Sequence, residues 1–234
     1  MTTLSQTVLD FVAQVKTDAA IAFRGLRDTH TISPAGTVNF VERVPGEKLI
    51  VSIGYPGPFA PDAELKPAVY DFEGNLLLGE VKNSGGGGRY LPIFKKHDDI
   101  TTVSHVHSVY LGAWSQSHRT LPIRYVPVQR WTRIRELPVY IDRRQGEANY
   151  ILERLEEDNS HFAILEANGG STVWGRKGIL ALANTIVNLE EGARLQAIAE
   201  TLGGSKLYGP GVLEQQWKMS GLWRPEDDVA VAAE

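Results

Sequence analysis

No cysteine occurs in the 234 residues, which removes disulfide frameworks, thiolate metal sites and cysteine nucleophiles together. No apolar run approaches the ~18 residues that a membrane span needs. The first twenty residues carry Asp10, Lys16 and Asp18 where a signal peptide would have its apolar core. Basic residues are not in excess either. The 24 Lys+Arg face 28 Asp+Glu for a formal net charge of −4, so the broad cationic surface of a dedicated nucleic-acid binder is missing. These absences leave the expectation of a cytoplasmic protein with no membrane and no nucleic-acid partner.

What is present can fold. Hydrophobic residues make up 42% of the chain, enough for a sizeable core. Nothing repeats and no linker divides the sequence, so residues 1–223 are expected to form one domain, with 224–234 a frayed tail. Leu4, Val8, Phe11, Val12 and Val15 recur at helical spacing, in a run that continues through Ile21 until Gly25 and Ser33-Pro34-Ala35-Gly36 stop it. Short β-like runs follow from Val38 to Ile53 around a Pro45-Gly46 turn. The prolines at 56, 58, 61 and 67 make a rigid loop, and Val69 to Leu78 reads as a hairpin turning at Glu73-Gly74-Asn75. Ile100–Ser108, Pro138–Ile141 and Phe162–Leu165 read as strands, and Ala148–Leu155 as a short helix. A long helix spans about Lys177 to Leu202, closed by Gly203-Gly204. Helices thus flank a β-rich middle, an α/β protein with a central, mostly antiparallel or mixed sheet.

Of six histidines, only His105 and His107 form a constellation. They sit at i and i+2 of a strand, so both imidazoles project to one face and can aim at one point. Neutral imidazole is a common ligand for zinc, manganese or iron. The alternative is two polar residues at a strand end. Gly85 to Gly88 can wrap backbone N–H groups around an anion, or simply form a loose loop. Arg124, Arg130, Arg133, Arg135, Arg143 and Arg144 crowd one segment with Tyr125 and Trp131, a composition suited to capturing a carboxylate or to lining an interface.

The order of short segments along the chain resembles the class II aldolase/adducin superfamily. The landmarks are Gly25-Leu26-Arg27-Asp28, Arg43 to Ile50, Asp71 to Asn75 with Gly79-Glu80, and His105-Val106-His107-Ser108. After these come Leu137 to Tyr140, Ile164 to Gly169 ahead of Trp174-Gly175, and Glu190 to Ala197. The resemblance implies a single three-layer α/β/α domain, a homo-oligomer with a tetramer favoured, and a divalent metal (zinc, manganese or iron) held by His105 and His107.

Departures from the family pattern accompany it. The family's Ser-Ser-Glu element falls on Ser84-Gly85-Gly86, without its glutamate, and the third metal histidine falls on Asn168. Asn39 survives from an early substrate-binding element. The resemblance therefore implies Asn39, Ser84, Gly85 and Gly86 at the substrate, with Arg130 drawn from the arginine cluster. Asn168 is the expected third metal ligand and Glu166 the alternative, while no catalytic acid or base is assigned. The expected activity is that of a metal-dependent carbon–carbon lyase, foremost a decarboxylase of a small hydroxylated carboxylate, an aromatic one included. An aldolase on a small oxo or hydroxy acid and a non-catalytic adducin-like binding domain stay open, as does a non-haem iron oxygenase using Glu166.

Overall fold

A computed structural model describes residues 4–60, 63–80, 87–209 and 211–224. The strands are β1 (Asn39–Arg43), β2 (Leu49–Gly54), β3 (Ala68–Asp71), β4 (Leu76–Leu78), β5 (Thr102–Val106), β6 (Leu121–Pro122), β7 (Glu136–Leu137), β8 (Val139–Tyr140), β9 (Ala163–Glu166) and β10 (Ser171–Gly175). The helices are α1 (Gln6–Asp28), α2 (Leu91–Lys96), α3 (Val109–Ser117), α4 (Val126–Gln129), α5 (Glu147–Glu157), α6 (Gly178–Thr201) and α7 (Val212–Ser220). Eight strands form one sheet in the order β4-β3-β2-β1-β5-β10-β9-β8. Every neighbouring pair is antiparallel except β8 with β9, so the sheet is mixed. The hairpin, the β1–β2 pair, the histidine strand and the long C-terminal helix stand where the sequence reading put them.

Alternation along the strands sorts the core into two layers. Phe40, Val51, Ile53, Val106 and Val173 pack with α1, α3 and α6 on one face. Val41, Ile50, Val103, Ile164 and Trp174 pack with α2 and α5 on the other. His105 follows Val103 by two, so it lies on the α2/α5 face.

Three readings change. The first helix does not stop at Gly25 but runs to Asp28. Leu26 is almost wholly buried, and burying a leucine stabilises by about 1.5–3 kcal/mol. That exceeds the ~1 kcal/mol helix penalty of glycine. Ser171–Gly175, unassigned in the sequence, is a central strand, and Val109–Ser117 is a helix. The tail expected to fray lies almost wholly outside the described residues. Among the described residues, no helix is long and apolar enough to cross a membrane.

Glu42 of β1 points into the α1/α6 layer, where Thr102 Oγ1 donates to its Oε2 at 2.6 Å. Burial, aided by the charge of Asp18, pushes this carboxyl from 4.5 up to about 7 against the Thr102 hydrogen bond. A raised folded-state value means that the fold holds the proton which the unfolded chain releases. Stability is therefore full below 4.5 and falls as pH rises toward about 7. The difference corresponds to about 3 kcal/mol. Glu42→Gln should raise the melting temperature well above this window and leave it unchanged below. A variant that gains nothing at alkaline pH would show that the buried carboxylate is not penalised.

Candidate metal centre

His105 is held at both its backbone and its ring. Asn39 Oδ1, on the adjacent strand β1, accepts from the His105 N–H at 3.0 Å, and Ser104 Oγ donates to the Asn39 carbonyl at 2.6 Å. The surviving asparagine thus ties the histidine strand to β1. On the other side, Thr172 of β10 stands directly opposite His105 in the ladder. Glu166, at the end of β9, brings Oε1 to 2.6 Å from His105 Nδ1. That distance is a charge-assisted hydrogen bond, which places the proton on Nδ1 and leaves Nε2 as the free ring nitrogen.

His107 follows at the strand end, its ring centroid 4.9 Å from that of His105 and the planes at 72°. Burial, then the neighbouring His105, pushes the His107 imidazole below its ordinary value, so it is neutral and fit to donate a lone pair. The β9–β10 turn comes close to it. A Cβ at Gly170 would stand 2.2 Å from the Val106 carbonyl oxygen and 3.0 Å from His107 Cδ2, so only glycine fits there. Just beyond His107, helix α3 begins at Ser108, which makes no capping bond of its own. Glu190 of α6 caps it from a distance, accepting from the Tyr110 and Leu111 N–H groups at 2.7 and 2.9 Å. The segment carrying both histidines is therefore fixed at each end.

Behind the ring lies a polar network that the sequence reading did not anticipate. Thr172 Oγ1 is 2.6 Å from Glu147 Oε1 and 2.7 Å from Glu166 Oε1. Arg89 Nε stands 3.4 Å from Glu147 Oε2, and Arg89 Nη2 donates to Tyr90 Oη at 2.6 Å. Burial alone would raise the Glu166 carboxyl, but the hydrogen bond and charge of His105, with Thr172 and Arg89, outweigh it and hold it at about 2. Burial and then the charge of Glu166 push Glu147 the other way, upward. Donor atoms of His105, Glu147 and Glu166 come within 4.8 Å of one another. The protein therefore gathers one three-donor cluster at His105, with the His107 ring beside it.

His105 also lines a cavity of about 700 Å³ with Asn39, Tyr55, Lys66 and Arg89. Lys66 and Arg89 outnumber the one lining carboxylate, Glu64, which leaves a cationic excess suited to an anionic guest.

Residues 64–197, more than half of the chain, match the family described as Class II Aldolase and Adducin N-terminal domain. The chain belongs to that family. Over 146 residues it is 32% identical to a 3-oxo-tetronate 4-phosphate decarboxylase of Haemophilus influenzae, a stretch covering 60% of this chain and 66% of that protein. The match thus spans just under two thirds of that relative. An L-fuculose 1-phosphate aldolase superposes with a TM-score of 0.70 at 18% identity, covering 88% of this chain and 95% of that one. The L-fuculose 1-phosphate aldolase of Glaciozyma antarctica gives 0.68 at 18%, with 94% and 86% covered. The class II aldolase-like α/β/α fold with a mixed sheet is the fold observed.

In this class II aldolase-family chain the expected site residues are distributed unevenly. His105, His107, Asn39 and Glu166 converge. Ser84, Gly85 and Gly86 lie outside the described residues. Asn168 is exposed on the β9–β10 turn in a left-handed conformation, φ 56°. A register difference of two residues separates it from Glu166, whose side chain the strand turns toward His105. Arg130 is exposed at the end of α4, in the layer that covers the opposite face of the sheet, and does not line the cavity. Arg133 and Arg135 instead stack over Trp217, each 5.9 Å from the ring centroid. Thr172, Glu147, Arg89 and Tyr90 carried no sequence signal, because three separate segments deliver them.

Proposed function

We propose that this chain is a metal-dependent carbon–carbon lyase, foremost a decarboxylase of a small hydroxylated carboxylate. The observation carrying this reading is the pair His105 and His107, with Glu166 on Nδ1 of the first, which lines a cavity together with Arg89 and Lys66. The donor set fits a divalent transition metal: two imidazoles, one neutral by burial and one oriented by a carboxylate, the usual arrangement behind a metal-bound histidine. His105 Nε2 and His107 would hold the ion, and Glu166 would act through His105. A bound divalent metal supplies Lewis acidity to a developing enolate.

The rest falls to the chain's own groups. Arg89 and Lys66 draw the substrate's carboxylate into the cavity. Asn39 keeps β5 in register, so the two imidazoles stay side by side. The 32%-identical decarboxylase relative supports decarboxylation over aldol cleavage. So does the glycine at the place where the family pattern has its catalytic glutamate. The test is carbon dioxide release from a panel of small hydroxy and oxo acids by protein loaded with manganese, zinc or iron. Cleavage to two carbonyl-bearing fragments would support an aldolase instead, and no turnover by fully loaded protein would favour a binding domain.

The protein is further proposed to work in the cytoplasm as a homo-oligomer, a tetramer in the first instance. Exposed Leu195 and Ile198 on α6, Leu202 just past its end and Met219 on α7 offer apolar surface for such contacts. Light scattering at micromolar concentration should give a multiple of 25.8 kDa; a monomeric mass would contradict the assembly.

A further inference from the structure

We propose that Thr172 decides which nitrogen of His105 receives the metal, by occupying the point where an ion on the Nδ1 face would have to sit. The inference rests on the metal-dependent reading above and names the residue that enforces its choice of nitrogen.

The Thr172 hydroxyl oxygen is 2.6 Å from Glu147 Oε1, 2.7 Å from Glu166 Oε1 and 3.2 Å from His105 Nδ1. It is also 3.4 Å from Tyr90 Oη. The three donors that could form a cage around a cation are thus already gathered around one oxygen. Metal bonds to imidazole nitrogen and carboxylate oxygen run about 2.0–2.2 Å, so an ion bridging these donors would collide with that oxygen. A neutral hydroxyl with a single hydrogen is no substitute for an anionic ligand.

The His105 to Glu166 separation points the same way. Two donors bound to one ion at such lengths lie about 3 Å apart, whereas Nδ1 and Oε1 are 2.6 Å apart, the spacing of a shared proton. Nor can Thr172 step aside easily. Its strand is hydrogen-bonded to β5 on one side and β9 on the other. The residue is wholly buried, and a β-branched side chain has few χ1 alternatives. Nδ1 is therefore closed to metal, and Nε2 remains.

The experiment is a Co²⁺ titration, read by calorimetry and by the visible spectrum, on wild type and four variants. In wild type, His107→Ala should weaken Co²⁺ binding at least about tenfold, because the ion uses Nε2 and His107. In the His107→Ala background, adding Thr172→Ala should restore binding by opening the His105–Glu147–Glu166 cage. A further Glu147→Gln should remove it again. Thr172→Ser, which keeps the oxygen, should behave as wild type. The inference is overturned if His107→Ala alone keeps full affinity, or if the Thr172→Ala double variant binds no better than His107→Ala.

A measurement on unmodified protein does not depend on the variants folding. The ¹⁵N chemical shifts of His105 on Zn²⁺ saturation should show Nε2 metallated and Nδ1 still protonated; a metallated Nδ1 overturns the inference. Should wild type bind no metal, the metal-dependent reading fails by itself, and cage opening in the Thr172→Ala double variant still decides the role of Thr172.

Discussion

Replacing His105 and His107 together by alanine should strip the protein of divalent metal and lower its lyase rate by a factor of about 10³. Lewis-acid stabilisation of a developing enolate contributes several kcal/mol, and each 1.36 kcal/mol is about tenfold in rate. The fold should survive. His107 is half-buried, and its backbone bond to the Thr37 carbonyl, 2.8 Å, does not involve the ring. Loss of the His105 ring removes one hydrogen bond from Glu166, which keeps the Thr172 hydroxyl, so the cost is about 1–3 kcal/mol. Metal content by elemental analysis, turnover and a melting curve on the same preparation give the result. A double variant that keeps its metal would place the centre elsewhere.

Glu166→Gln should have two separable effects. The first is at the metal. A carboxylate on Nδ1 fixes the tautomer and raises the basicity of the ligand, and loss of such a partner lowers metal affinity by about 10–100-fold. The second is on stability. The folded-state value of Glu166, about 2, lies below its ordinary 4.5, so the carboxylate's contribution is fully present above 4.5 and lost as pH falls toward about 2. The shift corresponds to about 3 kcal/mol. Wild type should thus lose stability steeply across this acid window, whereas Glu166→Gln should start lower and fall less. Urea unfolding at a series of acid pH values reads the slope, and parallel acid limbs in the two proteins would contradict a buried carboxylate stabilised by its hydrogen bonds. Glu42 acts in the opposite sense at higher pH, its contribution being lost as pH rises from 4.5 toward about 7.

The sequence exposed those parts of the architecture that repeat a period over many residues. Val8, Val12, Val15 and Ala19 mark α1, and Ile179, Leu182, Ile186 and Leu189 mark α6, because each helix buries one continuous stripe. His105 and His107 were legible for the same reason, since two residues apart on a strand means one face. Ser171–Gly175 was not, because it is short and follows Asn168-Gly169-Gly170, a sequence that reads as a turn. Missing that strand hid Thr172, whose place opposite His105 is a matter of register between distant segments. Glu147 was hidden more deeply: it opens a helix nineteen positions before Glu166, and only the packing of α5 against the sheet brings the two carboxylates onto one hydroxyl. The contest between Asn168 and Glu166 turned on where β9 ends. Glu166 is still in the strand and faces the histidine, whereas Asn168 has passed into the turn.

His105 Nε2 and His107 are proposed to hold a divalent metal while Glu166 orients His105 from behind. Anomalous diffraction from crystals of the wild-type protein grown with Mn²⁺ tests it most directly. One strong peak per chain is expected, bonded to His105 Nε2 and to His107 and open to the 700 Å³ cavity, with Glu166 still on Nδ1. A peak bonded to Nδ1 between Glu147 and Glu166, or none near either histidine at saturating Mn²⁺, would contradict it.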